Sequence, residues 1–331
     1  MTGKVTVYSI ARELGLSPST VSRVLNNSTL ISESTRELIL SAAERLNYSR
    51  RPIRRPAGRA IPTARLFLPP TKYSYIHLFY DVAELIDGIQ AGFGETRVNI
   101  ITSVNDGDLS LFDIKKLAGI DGCIFAFTVP SPSLELLLGE RAIPFVLLNR
   151  EVSENNYVAV DGAAGMGRLV RALWERRGPD LRPCYIGFSP LPGVSGPRGS
   201  GVLSACGELG VPMSESDIYD IETIPQLAGP AFSDILARGY NSLMCFNDLI
   251  AVTVYQAALH RGLEVPGDFS LTGFDNSPVL DLLDQRIDTL EFSVHMLGKE
   301  AGQWLRRRVI DRSEEPVQKR LEGAYVPGET I

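Results

Sequence analysis

In this chain of 331 residues, several polar side chains directly follow strand-like apolar runs, and these positions suit binding chemistry. Asn149 and Arg150 follow the run 144–148, Asn247 and Asp248 follow 242–246, and Asp275 follows Thr272-Gly273-Phe274. Arg198 stands in the Gly/Pro-rich segment after 184–188, which reads as a loop. Carboxylate, amide and guanidinium groups can each meet two neighbouring hydroxyls, so the set suits a hydroxyl-rich small molecule. A second cluster is cationic: Arg50, Arg51, Arg54, Arg55 and Arg59 crowd into 49–62 among Pro52, Pro56 and Pro62. That density suits a polyanion.

Other chemistries lack their residues. The four cysteines (Cys123, Cys184, Cys206, Cys245) lie far apart without a CxxC, and His77, His260 and His295 have no metal-motif neighbours. Buried free thiols are expected, with no metal site. No GxxxxGK[ST] phosphate loop occurs, and Gly193, Gly196, Gly199 and Gly201 form no GxGxxG. With no nucleophile–base pair either, no catalytic residue and no cofactor are expected. No run approaches the ~18 apolar residues of a membrane span, and the N-terminus lacks a secretory leader's apolar core, so a cytoplasmic protein is expected.

Charge is unevenly divided. Residues 1–60 hold ten Lys and Arg against four Asp and Glu, whereas the whole chain is formally −6. A basic end on an acidic body points to an anionic polymer held at the N-terminus, or to a basic tail. The segment 5–48 is periodic, which argues that it is folded. Ile10, Ala11 and Leu14 recur at helical spacing, Gly15-Leu16-Ser17 interrupts, and Pro18 opens a second helix with Val21, Val24 and Leu25 on one face. Ser32 caps a third helix lined by Ile39, Ala42, Ala43 and Leu46. A tight glycine turn between the first two fits a helix-turn-helix whose second helix enters a DNA major groove. A generic three-helix mini-domain has the same spacing.

From residue 64 onward, apolar runs alternate with helical patterns: 65–69, 98–102, 122–126, 144–148, 184–188, 242–246 and 269–274. Runs apolar throughout predict strands buried on both faces, hence an open parallel α/β sheet. About 270 residues exceed one ordinary domain of this kind, so two lobes are expected. In such sheets ligands sit beyond the carboxyl ends of the strands, where the polar groups named above stand.

The residues 5–26, with Ser17-Pro18-Ser19-Thr20-Val21-Ser22-Arg23-Val24-Leu25-Asn26, then Ser34-Thr35-Arg36-Glu37 and 43–48, resemble the LacI/GalR family of bacterial transcription regulators. The likeness continues through 143–150, 160–162, 246–251, 261–268, 273–275 and 297–301. It implies an N-terminal all-α helix-turn-helix domain (1–48), an Arg/Pro-rich hinge linker (49–62) and a two-lobed, periplasmic-binding-protein-like α/β core of parallel sheets with three crossovers (63–331). Lobe one would hold about 63–160 and 292–319, and lobe two about 161–291 and 320–331. By the resemblance, Pro18, Ser19 and Arg23 read bases, with Ser17 beside them, while Thr20, Ser22 and Asn26 contact phosphates. Arg23 can grip guanine bidentately, or it can pair with a phosphate or a carboxylate such as Glu13. Arg198, Asn247 and Asp275 become effector contacts, with Asn149 or Arg150 on the opposite lobe. Tyr75, Phe79 or Tyr80 could stack on the ligand, and Asp81 could bond its hydroxyls.

The implied function is a DNA-binding regulator, a repressor, working as a homodimer on a pseudo-palindromic double-stranded operator and modulated by a small molecule between the lobes. A sugar is favoured; a nucleobase or nucleoside co-repressor is the alternative. A solute-binding receptor would share the core, without use for a DNA reader. The linker departs from the family pattern, because Pro56 and Ala57 stand where a hinge helix would carry its minor-groove wedge. Arg50, Arg51, Arg54, Arg55 and Arg59 are therefore expected to hold DNA through phosphates or a narrow A·T minor groove, the alternative being a flexible solvated spacer. Replacing Arg54 and Arg55 with alanine should flatten the salt dependence of DNA binding; an unchanged slope removes both from the interface.

Overall fold

The structure, a computed structural model, describes residues 5–25, 31–46, 48, 61–70, 81–105 and 117–331. Asn26, the linker arginines Arg50, Arg51, Arg54, Arg55 and Arg59, and Tyr75, Phe79 and Tyr80 lie outside these residues. Three short helices come first: α1 (Val7–Leu14), α2 (Pro18–Leu25) and α3 (Glu33–Arg45). Thr6 caps α1 and Gly15 ends it at φ 66°, a left-handed angle that glycine adopts without steric cost. Ser17 Oγ accepts from the Thr20 N–H at 3.0 Å, and Pro18 opens α2. Val7, Ile10, Ala11, Val21, Val24, Ile39, Ala42 and Ala43 close one apolar core.

The chain then alternates strand and helix: β1 (Thr63–Leu68), α4 (Val82–Phe93), β2 (Asn99–Val104), β3 (Gly122–Ala126), α5 (Pro132–Glu140), β4 (Phe145–Leu148) and β5 (Tyr157–Val160). It continues through α6 (Gly162–Arg177), β6 (Pro183–Phe188), α7 (Pro192–Leu209), β7 (Ile218–Ile221), α8 (Pro230–Ala237), β8 (Ser242–Cys245), α9 (Asp248–Leu259), β9 (Ser270–Thr272) and β10 (Thr289–Glu291). It ends with α10 (Val294–Arg306), β11 (Gln318–Leu321) and β12 (Ala324–Val326).

Two compact units result. The first holds the described residues before 71, Val82–Ala159 and Val294–Lys319; the second holds Asp81, Val160–Ser293 and Arg320–Ile331. Among the described residues, one sheet has the order β11-β5-β4-β3-β1-β2, a second β7-β6-β8-β9, and β10 pairs with β12. The ladders β1/β2, β1/β3, β3/β4, β4/β5, β6/β7, β6/β8 and β8/β9 are all parallel. β3, β5, β6 and β8 are buried nearly end to end, as continuous apolar runs require.

Two expectations need correction. The run 98–102 reads as a strand buried on both faces, yet Ile101 and Val104 of β2 are 42% and 45% exposed. Among the described residues, β2 is the outer strand of its sheet and pairs only with β1. Arg198 stands inside α7, not in a loop. Part of the Gly/Pro content that suggested a loop serves other purposes: Pro192 begins the helix, and Gly199 and Gly201 admit neighbours. A Cβ on Gly201 would strike the Ala163 backbone of α6, and one on Gly199 would lie 3.1 Å from the Tyr185 ring.

α4 and α10 meet through glycines as well. A Cβ on Gly88 would collide with the His295 backbone, on Gly92 with that of Lys299, and on Gly302 with that of Ile89. Backbone contact at this closeness leaves no room to repack. Gly92→Val should therefore lower stability by at least ~1–3 kcal/mol, read as a lower denaturant midpoint. Gly207→Ala, in α7 with open space around the new methyl, should be neutral or stabilise by up to about 1 kcal/mol.

Candidate functional site

The candidate side chains fall into two main groups, one on the N-terminal helices and one in the second unit. α2 carries Pro18, Ser19, Thr20, Ser22 and Arg23 in sequence, with Ser17 at its cap. Ser17 Oγ also shares hydrogens with Ser19 Oγ at 2.8 Å and Thr20 Oγ1 at 2.7 Å, so the polar start of the helix is ordered by its own hydroxyls. Arg23 forms ion pairs with Glu135 of α5 and with Glu154. Glu13, the carboxylate within reach on sequence grounds, pairs instead with Arg45. Ser22 is buried.

The second group centres on Arg198, which α7 carries into the ends of the second sheet. Its Nη1 donates to the Phe246 carbonyl, and its Nη2 donates to Asp275 Oδ1 at 3.2 Å. The guanidinium lies over the Phe274 ring at 3.6 Å from the centroid and the Phe246 ring at 4.8 Å. Arg198 is only 3% exposed, and its Nε has no partner. A buried cation is tolerated only when carboxylate, carbonyl and ring faces replace its water, and here all three do. The Phe188 ring, 5.7 Å from that of Phe246, extends the aromatic surface.

The strand ends supply the partners. Asn247 is buried at the N-cap of α9, where its Oδ1 accepts from the Ile250 N–H at 3.1 Å. Asp275 follows β9 at φ 110°, a conformation that costs a non-glycine residue free energy and that clusters at binding sites. Its neighbour Asn276 stands at φ 52°. The structure therefore brings Arg198 together with Asp275 and with the Phe246-Asn247 strand end. Asn149 and Arg150 end β4 in the first unit, Asn149 at φ 52°, with Arg150 Nη1 donating to the Asn149 carbonyl at 2.6 Å. Asp81 is exposed just before α4.

The aromatic wall of Phe188, Phe246 and Phe274, and the acidic partners of Arg23, were missed in the sequence. Each phenylalanine ends or follows a strand, and that position was the available signal. The cysteines are free and buried, and burial pushes the Cys123 and Cys184 thiols up to about 12, which leaves them protonated and unreactive. Among the described residues no cluster of His, Cys, Asp and Glu could hold a metal, and no helix is long and apolar enough to cross a membrane.

Asp248, the first residue of α9, supports the site from below. Its Oδ1 accepts from Thr289 Oγ1 and its Oδ2 from the Ser277 N–H, both at 2.6 Å. Burial, and secondarily the Asp275 charge, raises its carboxyl well above the ordinary 3.8. The folded chain thus holds this proton more tightly than the unfolded chain, and ionisation weakens the fold. Relative to Asp248→Asn, the wild type should be most stable in acid and lose that advantage as pH rises above the ordinary carboxylate value. Denaturant midpoints of both chains at about pH 5 and about pH 8 check the sign.

Comparison with known proteins agrees with this architecture. The model of bacterial regulatory proteins of the lacI family matches residues 6–51, and that of the periplasmic binding protein-like domain matches 170–331. An HTH-type transcriptional regulator in the aml 5' region of Streptomyces limosus is 31% identical over 346 residues, covering 96% of this chain and 95% of its own. A solved complex of the transcriptional regulator CelR with cellobiose superimposes at TM-score 0.74 and 23% identity, covering 99% of this chain and 100% of its own. A lac repressor dimer, bound to operator and the anti-inducer ONPF, superimposes at TM-score 0.66 and 18% identity, with 98% of each chain covered. A DNA-binding helix-turn-helix domain and an effector-binding core are thus joined in one polypeptide, and the chain belongs to the LacI family of bacterial transcriptional regulators.

Proposed function

We propose that this chain is a repressor whose grip on a pseudo-palindromic operator is set by a neutral sugar held at the Arg198 cluster. The observation that carries the reading is the Arg198 guanidinium, nearly sealed from water between Phe246 and Phe274 and joined to an Asp275 in a left-handed backbone conformation. Adjacent sugar hydroxyls need a fixed acceptor beside a fixed donor, and the apolar face of the ring needs an aromatic wall. Asp275 and the amide of Asn247 offer the polar groups, and the half-buried Phe188 ring, backed by the buried Phe246, offers the wall. Arg150, Asn149 and Asp81 are proposed as further effector contacts, together with Tyr75 and Phe79.

On the DNA side, Ser17, Pro18, Ser19, Thr20, Ser22, Arg23 and Asn26 are the proposed readers, aided by Arg50, Arg51, Arg54 and Arg55. One such helix touches few base pairs, so a homodimer presenting two helices about one DNA turn apart is proposed, acting in the cytoplasm where its operator lies. The effector shifts operator affinity through its unequal affinity for two conformations, with a typical coupling of ~1–3 kcal/mol, or 5- to 150-fold.

The test has two arms. Selection from a random duplex pool should return a twofold-symmetric sequence. A thermal-shift screen of mono- and disaccharides, cellobiose included, and of purine bases and nucleosides should find a sugar that stabilises the wild type. Asp275→Ala and the gentler Asp275→Asn should both abolish that shift. A purine hit in place of a sugar would overturn the effector class, and a shift unaltered in both variants would overturn the site.

A further inference from the structure

α2 has the sequence of a reading helix but not its exposure. Each of its residues from Pro18 to Leu25 is buried or half-buried. Val21 and Val24 face the core of the three-helix head, as amphipathic spacing requires. The opposite face, which a duplex would need, lies against α5 of the α/β body: Ser22 is buried, and the Arg23 side chain is only 14% exposed. Leu136 of α5 joins the apolar cluster of the head. Arg23 spends both terminal nitrogens on the body, Nη2 on Glu135 and Nη1 on Glu154.

The chemistry of this contact is that of a duplex. A guanidinium presents parallel donors to two acceptors, which guanine O6 and N7 or phosphate oxygens supply in DNA and two carboxylates supply here. Helix α5 occupies the space a major groove would fill, so the two engagements exclude each other. The docking is also incomplete. Arg23 Nε is buried without a partner, an unmade bond that opposes the docked state, and a cavity lined in part by Ser19, Ser22 and Arg23 stays open beside the pair. A contact with these defects can be displaced.

We infer that Glu135 and Glu154 form an acidic docking surface for the chain's own reading helix, so that the unbound protein holds Arg23 away from DNA until a duplex replaces the two carboxylates. The inference rests on the reading of α2 as the DNA-contacting helix. A head docked nine-tenths of the time would bind DNA about ten-fold more weakly than a free one, because apparent affinity scales with the competent fraction.

The first arm of the test uses no DNA. In Arg23→Lys the new amine stands beside the carboxylates, and a water-soluble carbodiimide should convert one of them and the amine into an amide, with the urea released. Digestion should then yield a peptide from 18–25 joined to one bearing Glu135 or Glu154 within a single chain. Adding Glu135→Gln and Glu154→Gln should remove it. Failure to form the link, or its persistence in the triple variant, overturns the docking. The second arm compares the wild type with Glu135→Gln/Glu154→Gln on a mixed-sequence 30-base-pair duplex. The double variant should bind roughly ten-fold more tightly, and the same substitutions on Arg23→Ala should bring no gain. Equal binding by wild type and double variant overturns the competition while leaving the DNA-reading assignment in place. Binding by neither chain overturns that assignment, and the competition with it, whatever the cross-link shows.

Discussion

A parallel sheet covered on both faces leaves nowhere for a polar group with a task except the ends of its strands, and this constraint organises the α/β part of the molecule. β3, β6 and β8 are sealed along their lengths, so Asn149, Asn247 and Asp275 appear where β4, β8 and β9 stop. The turns there twist the backbone into angles that side chains avoid, as at Asn149, Asp275 and Asn276. Such angles persist because the surrounding core fixes them. Burial thus confines these polar groups to the strand ends and stiffens them.

Arg198 shows how a full charge is kept in such a place. Its carboxylate, carbonyl and ring partners come from two separate strand ends, those of β8 and β9, so the side chain also draws those ends together. The absence of a Cβ on Gly162 lets its Cγ pass, since a methyl there would sit 3.0 Å away. Asp248 sits just behind, with Gly273 held so close that a side chain would strike the Asp248 carboxylate. The cluster is one packed unit in which no member can be exchanged in isolation.

What was legible in the sequence had a local cause. The three N-terminal helices were readable from caps and spacing, Ser17, Ser32 and Gly15 among them, and the buried strands from unbroken apolar runs such as 122–126. Helix α7 was hidden because Pro192, Pro197 and its glycines spell a loop locally, while the room left by Gly201 and Gly199 is used by Ala163 of α6 and Tyr185 of β6, neighbours that only folding brings in. β7 was hidden too, being short and only half-buried. Asp275 and Arg198 could be named from strand-end position, but the rings beside Arg198 could not, since phenylalanine at a strand end reads as core. The partners of Arg23 were out of reach for a stronger reason: they stand 112 and 131 residues away in sequence.

The carboxylates on Arg23 also bear on how the charge of the head is to be counted. A cation already neutralised by Glu135 and Glu154 has shed its share of solution anions before any nucleic acid arrives. The exchange of ions on complex formation is then smaller than the number of basic side chains would suggest, and a titration against salt undercounts the phosphates that the chain finally covers.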